Sequence, residues 1–227
     1  MDPILLFVAG ATAVVAFYAL AALNDRWRCE AMQRFCAERG YYFDPDRPYP
    51  GAELAEAFPI FDQGGGKAWK YSVTGAVNGQ PFTAFEYTYF TGGGRSRRRH
   101  RFGMMLWETP GLNLPRFVLG PEDFLDRLAH RFGRQDLDFA EDDEFSQAYE
   151  LRGDNPTAVR ALFTPARRAF LVAAGKGGIF RPQHLAGAGT RLLWWREGRL
   201  PPAQELDQFI ADGDRVRQQF LEDGGGA

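Results

Sequence analysis

Polar positions are nearly absent from the start of the chain. Pro3 to Leu23 reads PILLFVAGATAVVAFYALAAL, 21 residues without a charge. A helix of that length rises about 30 Å, the thickness of a bilayer's hydrocarbon core. A helix buried in a soluble core would show a polar face, and only Thr12 and Tyr18 interrupt this run. A secretory signal would open with basic residues. Met1-Asp2 supplies none, although Ala19-Leu20-Ala21 has the small residues of a cleavage site. The pattern predicts a transmembrane helix over 3–23. From Asn24 the period changes. Ala31, Met32, Phe35 and Cys36 form an apolar stripe on a helix over 24–39, capped by Asn24 or Asp25 and stopped by Gly40. The proline-rich run 44–50 is a stiff connector.

Beyond it, alternation replaces the helical period. One or two helical turns are expected over 52–58, a short strand over 58–62, and a loop at 64–66. A strand over 69–77, an Asn78-Gly79 turn and a return strand over 82–90 make a hairpin. Phe85, Tyr87 and Tyr89 share one face of the return strand. Ala84, Glu86 and Thr88 share the other, with Phe82 and Phe90. A third strand is expected over 100–108 and a further one over 117–119. Pro121 opens an amphipathic helix over 121–132. Strands over 137–139 and 147–152 flank an acidic turn at 141–144. Short helices over 156–163 and 165–174, a β-pair over 178–185 and 190–196, and a helix over 205–221 complete the pattern. Leu206, Phe209, Ile210, Val216, Phe220 and Leu221 are the candidate core contacts of that last helix.

The fold class is α+β: an N-terminal transmembrane helix followed by a mostly antiparallel β-sheet domain with packed helices. The expected organisation is the span at 3–23, a juxtamembrane helix and connector at 24–50, and a globular domain at 51–221. Two subdomains within it would meet near residue 120, and 222–227 would be a flexible tail. Arg26, Arg28, Arg34 and Arg39 follow the span and no basic residue precedes it. The positive-inside rule then sets the domain in the cytoplasm, on a single pass through the plasma (inner) membrane. Two cysteines, Cys29 and Cys36, make no disulfide framework, in keeping with a reducing compartment.

Net charge is −2, so no global field draws in nucleic acid. Basic charge is local, and only Lys67, Lys70 and Lys176 of the 27 basic residues are lysines. Composition alone thus makes an arginine cluster a weak signal.

The succession of motifs is similar to a known group. After the apolar anchor come NGQPFTAFEYTYFTGGG with its basic hairpin, LPRFVLGPE, QDLDF, FSQAYELRGDNPTAVRALF and RLLWWREGRLPP. Together they resemble a group of small, membrane-anchored prokaryotic proteins without an assigned activity. The resemblance spans nearly the whole chain. It implies the same anchored layout and brings no site residues.

Candidate chemistry is sparse. Arg95, Arg97, Arg98, Arg99 and Arg101 crowd seven positions with His100. A nucleotide loop needs a strand-to-helix turn ending in Gly-Lys-Ser/Thr, and this stretch joins two strands. Nucleic-acid binding needs a broader basic surface. The open readings are a solvated hairpin tip, or a contact with anionic lipid or an acidic partner. Gly175-Lys176-Gly177-Gly178 lacks both the first glycine and the Ser/Thr of a phosphate loop. Ser72, Ser96 and Ser146 sit in no nucleophile elbow, and Cys36 with His130 is a remote Cys-His pair. No cofactor motif and no metal-ligand spacing occurs, and the carboxylates of 136–144 lack the calcium-loop pattern. Leu192-Leu193-Trp194-Trp195 is apolar on both faces. Such a strand is either covered on both sides or contributes Trp194 and Trp195 to a partner interface. The sequence favours a non-catalytic, membrane-tethered binding or scaffold module, with a membrane protein as possible partner. The alternatives are a membrane-bound hydrolase with scattered site residues, gathering His130 or His184 with Glu86 or Asp138, and a sensor of anionic lipid.

Overall fold

The computed structural model describes residues 3–48, 50, 52–125, 137–176 and 184–221, with side chains from Phe7 onward except that of Asp123. The first element, α1 (Pro3–Arg39), is one unbroken helix. No joint separates its apolar part from its amphipathic part. Residues 7–27 are exposed, and the buried stripe starts near Arg28 and runs through Met32, Phe35 and Cys36. Gly40 ends the helix at φ +68°. The amide of Tyr41 then donates to the Cys36 carbonyl at 2.8 Å, a Schellman closure.

An eight-stranded antiparallel sheet follows, in the order β1-β2-β3-β4-β8-β7-β5-β6. Its strands are β1 (Tyr42–Asp44), β2 (Gly65–Val77), β3 (Gln80–Thr91), β4 (Arg98–Glu108), β5 (Leu114–Gly120), β6 (Glu150–Gly153), β7 (His184–Gly189) and β8 (Arg191–Glu197). The helices are α2 (Ala52–Ala57), α3 (Glu122–Leu125), α4 (Asp143–Ala148), α5 (Pro156–Leu162), α6 (Pro165–Lys176) and α7 (Ala203–Gln218). The α+β class is as the alternation implied.

Period-2 burial splits the sheet into two faces. On one, Phe82, Ala84, Met105, Trp107, Leu192 and Trp194 pack with α1 and with α4 to α7. On the other, Phe85, Tyr87, Tyr89, Phe102, Met104, Leu193 and Trp195 pack with α2, the turn after it and α3. The sheet is thus a layer between helices rather than a half-solvated surface. One sheet joins the strands before and after residue 120.

Several local expectations give way, among them the strand over 147–152, whose first residues Gln147 and Ala148 belong to α4. Residues Pro59–Asp62 form a 3₁₀ turn rather than a strand, because Pro59 fixes φ at its first position and Phe58, Ile60 and Phe61 all bury. The glycine loop at 64–66 is the bulged start of β2, with Gly64 and Gly66 at positive φ. Residues 137–139 form no strand, and the acidic turn opens α4. There Asp142 caps the helix, accepting from the Phe145 amide at 3.2 Å. The connector at 44–50 cedes its first residue to β1. The expected helix at 121–132 is described only as far as Leu125, the first half of the β-pair only from His184, and the 222–227 tail lies outside the described residues.

Candidate functional site

Chemistry-bearing side chains gather where α1 leaves the sheet. Glu86 on β3 is buried, and two arginines answer it. Arg28 of α1 donates to it at 3.0 Å and also to the Leu200 carbonyl at 2.8 Å. Arg101 of β4 lies 3.4 Å away, an ion pair without hydrogen-bond geometry. Burial lowers the Arg101 guanidinium's pKa. Glu86 opposes that shift, and Arg99, Arg199 and Arg28 reinforce it by repulsion. Two guanidiniums therefore share one buried carboxylate, with Arg99 and Arg199 close enough to repel Arg101.

Tyr71 closes the cluster. It sits in the second bulge of β2 at φ +52°, a conformation that costs a non-glycine residue about 1 kcal/mol. Three contacts hold it there. Its amide donates to the Pro45 carbonyl at 2.9 Å, its hydroxyl meets Asp25, and the Arg28 guanidinium lies 3.8 Å over its ring. Burial, then Asp25, raises the phenol's pKa, so it stays protonated.

Beside this cluster runs a groove of about 500 Å³ between α1 and the chain entering α7. Asn24, Trp27, Arg28 and Ala31 line one wall, and Arg196, Arg199 and residues 200–205 the other. Trp27 is 65% exposed, one turn beyond the apolar span. Burial lowers the pKa of Arg196, whose guanidinium stacks 4.8 Å from the Phe209 ring centre. Neither Arg196 nor Arg199 has a carboxylate within ion-pair distance among the described residues. The groove thus pairs apolar walls with half-buried Arg28 and Arg196 and exposed Arg199, and the exposed Glu205 carboxylate lies on the same wall.

The fold is similar to that of a solved protein. The crystal structure of the mycobacterial trehalose monomycolate transport factor A, TtfA, aligns with a TM-score of 0.52 at 11% sequence identity. The alignment covers 86% of this chain and 93% of that one. At such identity the likeness is one of fold. No protein-family model matches the chain, and no curated protein matches it.

The arginine stretch divides in two. Arg95, Arg97, Arg98 and Arg99 are exposed on the hairpin end, with a 3₁₀ turn at Gly94–Ser96. Arg97 and Arg99 lie 3.9 and 6.0 Å from the Phe90 ring centre. Arg101 is bound into the Glu86 cluster instead. His100 is structural, 2.8 Å from the Thr91 hydroxyl and stacked on Tyr89.

Trp194 and Trp195 are both fully buried, one in each layer, on a strand between β4 and β7. Of the two readings of that strand the structure takes the covered one, so neither ring is offered to a partner. His184 packs between Phe124 and Trp195 on the face opposite Glu86, and Asp138 is exposed. The proposed His184–Glu86 grouping is therefore not assembled, and His130 lies outside the described residues. Cys36 is buried, which pushes its thiol up to about 11. Glu141 and Asp142 are engaged by Arg168. No metal-binding group of His, Cys, Asp or Glu occurs among the described residues. Sequence reading missed the groove, whose walls lie some 170 positions apart.

Proposed function

We propose that the protein is a single-pass, membrane-tethered binding module without catalysis, its globular domain on the cytoplasmic side, and that the groove between α1 and α7 is its binding site. One observation carries this. The exposed apolar helix, long enough to span a bilayer, continues without a break into a wall of the groove. A ligand in that groove would lie at the bilayer surface. Its walls suit an apolar segment bearing an anionic group, such as the juxtamembrane part of another membrane protein. The fold likeness to a protein described as a transport factor is consistent with a non-catalytic role.

A photo-crosslinking residue at Ala31, in the groove wall, tests the reading in intact membranes. Ala31 should capture a discrete partner, whereas the same probe at exposed Glu144 should not. Loss of the Ala31 adduct in the Arg196→Ser, Arg199→Ser double variant is expected. Equal labelling from both positions would overturn the assignment.

A further inference from the structure

The direction of two elements extends this reading. Tyr41, just past the end of α1, stacks edge-on against Phe82 near the start of β3, with ring centres 5.3 Å apart. Thirteen residues earlier on α1, Arg28 reaches Glu86, four residues further along β3. Moving toward the apolar part of α1 is therefore moving toward Thr91, the end of β3. Beyond Glu86 the strand advances up to about 17 Å to Thr91 before the hairpin turns. From Arg28 to the last apolar residues of the span is about 8 to 10 Å of helix. The arginine end of the hairpin thus reaches the level at which the apolar span ends.

Register adds a face to this direction. Arg99 pairs with Phe90 and Arg101 with Thr88, so both arginines lie on the α1 side of the sheet. Arg199 follows the end of β8, beside Arg101, whose carbonyl accepts from the Gly198 amide at 2.9 Å. The acidic groups at this end include Glu86, already doubly paired, Asp25, held by the Tyr71 hydroxyl, and the exposed Asp62 and Glu197. Arg95, Arg97, Arg98 and Arg99 have no ion pair among the described residues. Exposed guanidiniums spread over both sides of the hairpin end, two of them against Phe90, are matched to a plane of phosphates rather than to one buried anion.

We infer that the hairpin end, through Arg95, Arg97, Arg98 and Arg99, docks on the anionic phosphate headgroups of the bilayer that α1 enters. The inference rests on the membrane anchorage proposed above. The docking gives the domain a second attachment and keeps the groove at the lipid surface.

The test uses the full chain in nanodiscs of phosphatidylcholine, alone or mixed with phosphatidylglycerol. A fluorophore is placed on Ser96→Cys, since buried Cys36 and half-buried Cys29, both with raised thiol pKa, react slowly. In anionic discs the label should be slowed and quenched by headgroup-borne spin labels, and in phosphatidylcholine alone it should be free. About 0.5 M salt should release it, with no substitution needed. Replacing Arg95, Arg97, Arg98 and Arg99 by Ser should abolish the difference between discs. Equal behaviour in the two compositions would overturn the docking. So would restraint in phosphatidylcholine discs on adding inorganic phosphate, which would mark a free-anion site. A chain retained by neither disc would instead remove the anchorage itself.

Discussion

Arg99 and Arg101 lie two positions apart on one face of one strand, yet their surroundings differ. Arg101 is drawn to a buried carboxylate, and Arg99 stays in solvent over a ring. Charge placed beside its opposite in the interior is costly to unpair, and charge at the surface is not. Asp142 shows the same rule with a pH signature. Its carboxylate accepts from Arg168 Nε at 2.7 Å and from the Phe145 amide, and the arginine first holds its pKa below the usual carboxylate value. A depressed pKa stabilises the fold above the unfolded value near 4 and ceases to do so as pH falls through the folded one. Asp142→Asn keeps the cap and loses the charge. It should cost about 1 kcal/mol at pH 7, and the cost should shrink progressively as pH falls below about 4, as read by denaturant melts across that range. An unchanged gap at low pH would mean that the arginine contributes only shape.

At the scale of elements, the β2–β3 turn places Asn78 at φ +51° and Gly79 at φ +75°, the type I′ geometry that matches strand twist. The Asn78 amide also donates to buried Asp214 of α7 at 2.7 Å, so the turn ties the last helix to the first hairpin. A Cβ at Gly79 would meet nothing within 4 Å. Gly79→Val should therefore destabilise through backbone strain alone, by about 1–2 kcal/mol, whereas Gly79→Asn should be nearly neutral. Equal melting temperatures for the two variants would contradict that cause. This hairpin was legible in the sequence because its determinants are neighbours. The same holds for α5, α6 and the Gly40 stop. The 3₁₀ turn at Pro59–Asp62 was misread because FPIFD is as apolar as a strand, and only the proline argued otherwise. The acidic run at 141–144 hid a helix start because the capping carboxylate of Asp142, bonded to the Phe145 amide, sits among three other carboxylates that look like a solvated turn. Glu86 looked like one polar residue among several, and its two arginines come from elements that meet only in the fold.

For the whole molecule, the layered sheet and the projecting helix make one object with a polar axis. The exposed apolar part of α1 leaves at one end, and the arginine hairpin lies at that end. A phosphatase reporter fused at Ala227 should be inactive, and a cytoplasmic reporter fused there should be active. The opposite pattern would set the domain on the outer side and invert the reading of Arg26, Arg28, Arg34 and Arg39. The uninterrupted α1 makes one further difference. A flexible stalk would let a domain tumble whatever the bilayer does, whereas a stiff one makes it a pointer. The 16 residues between Leu23 and Arg39 form an arm of about 24 Å. A 20° lean of a membrane-embedded span would carry the far end of that arm about 8 Å sideways. The groove, fixed to the same rod, would turn with it, so on the proposed anchorage bilayer thickness would become a mechanical input to whatever the groove held.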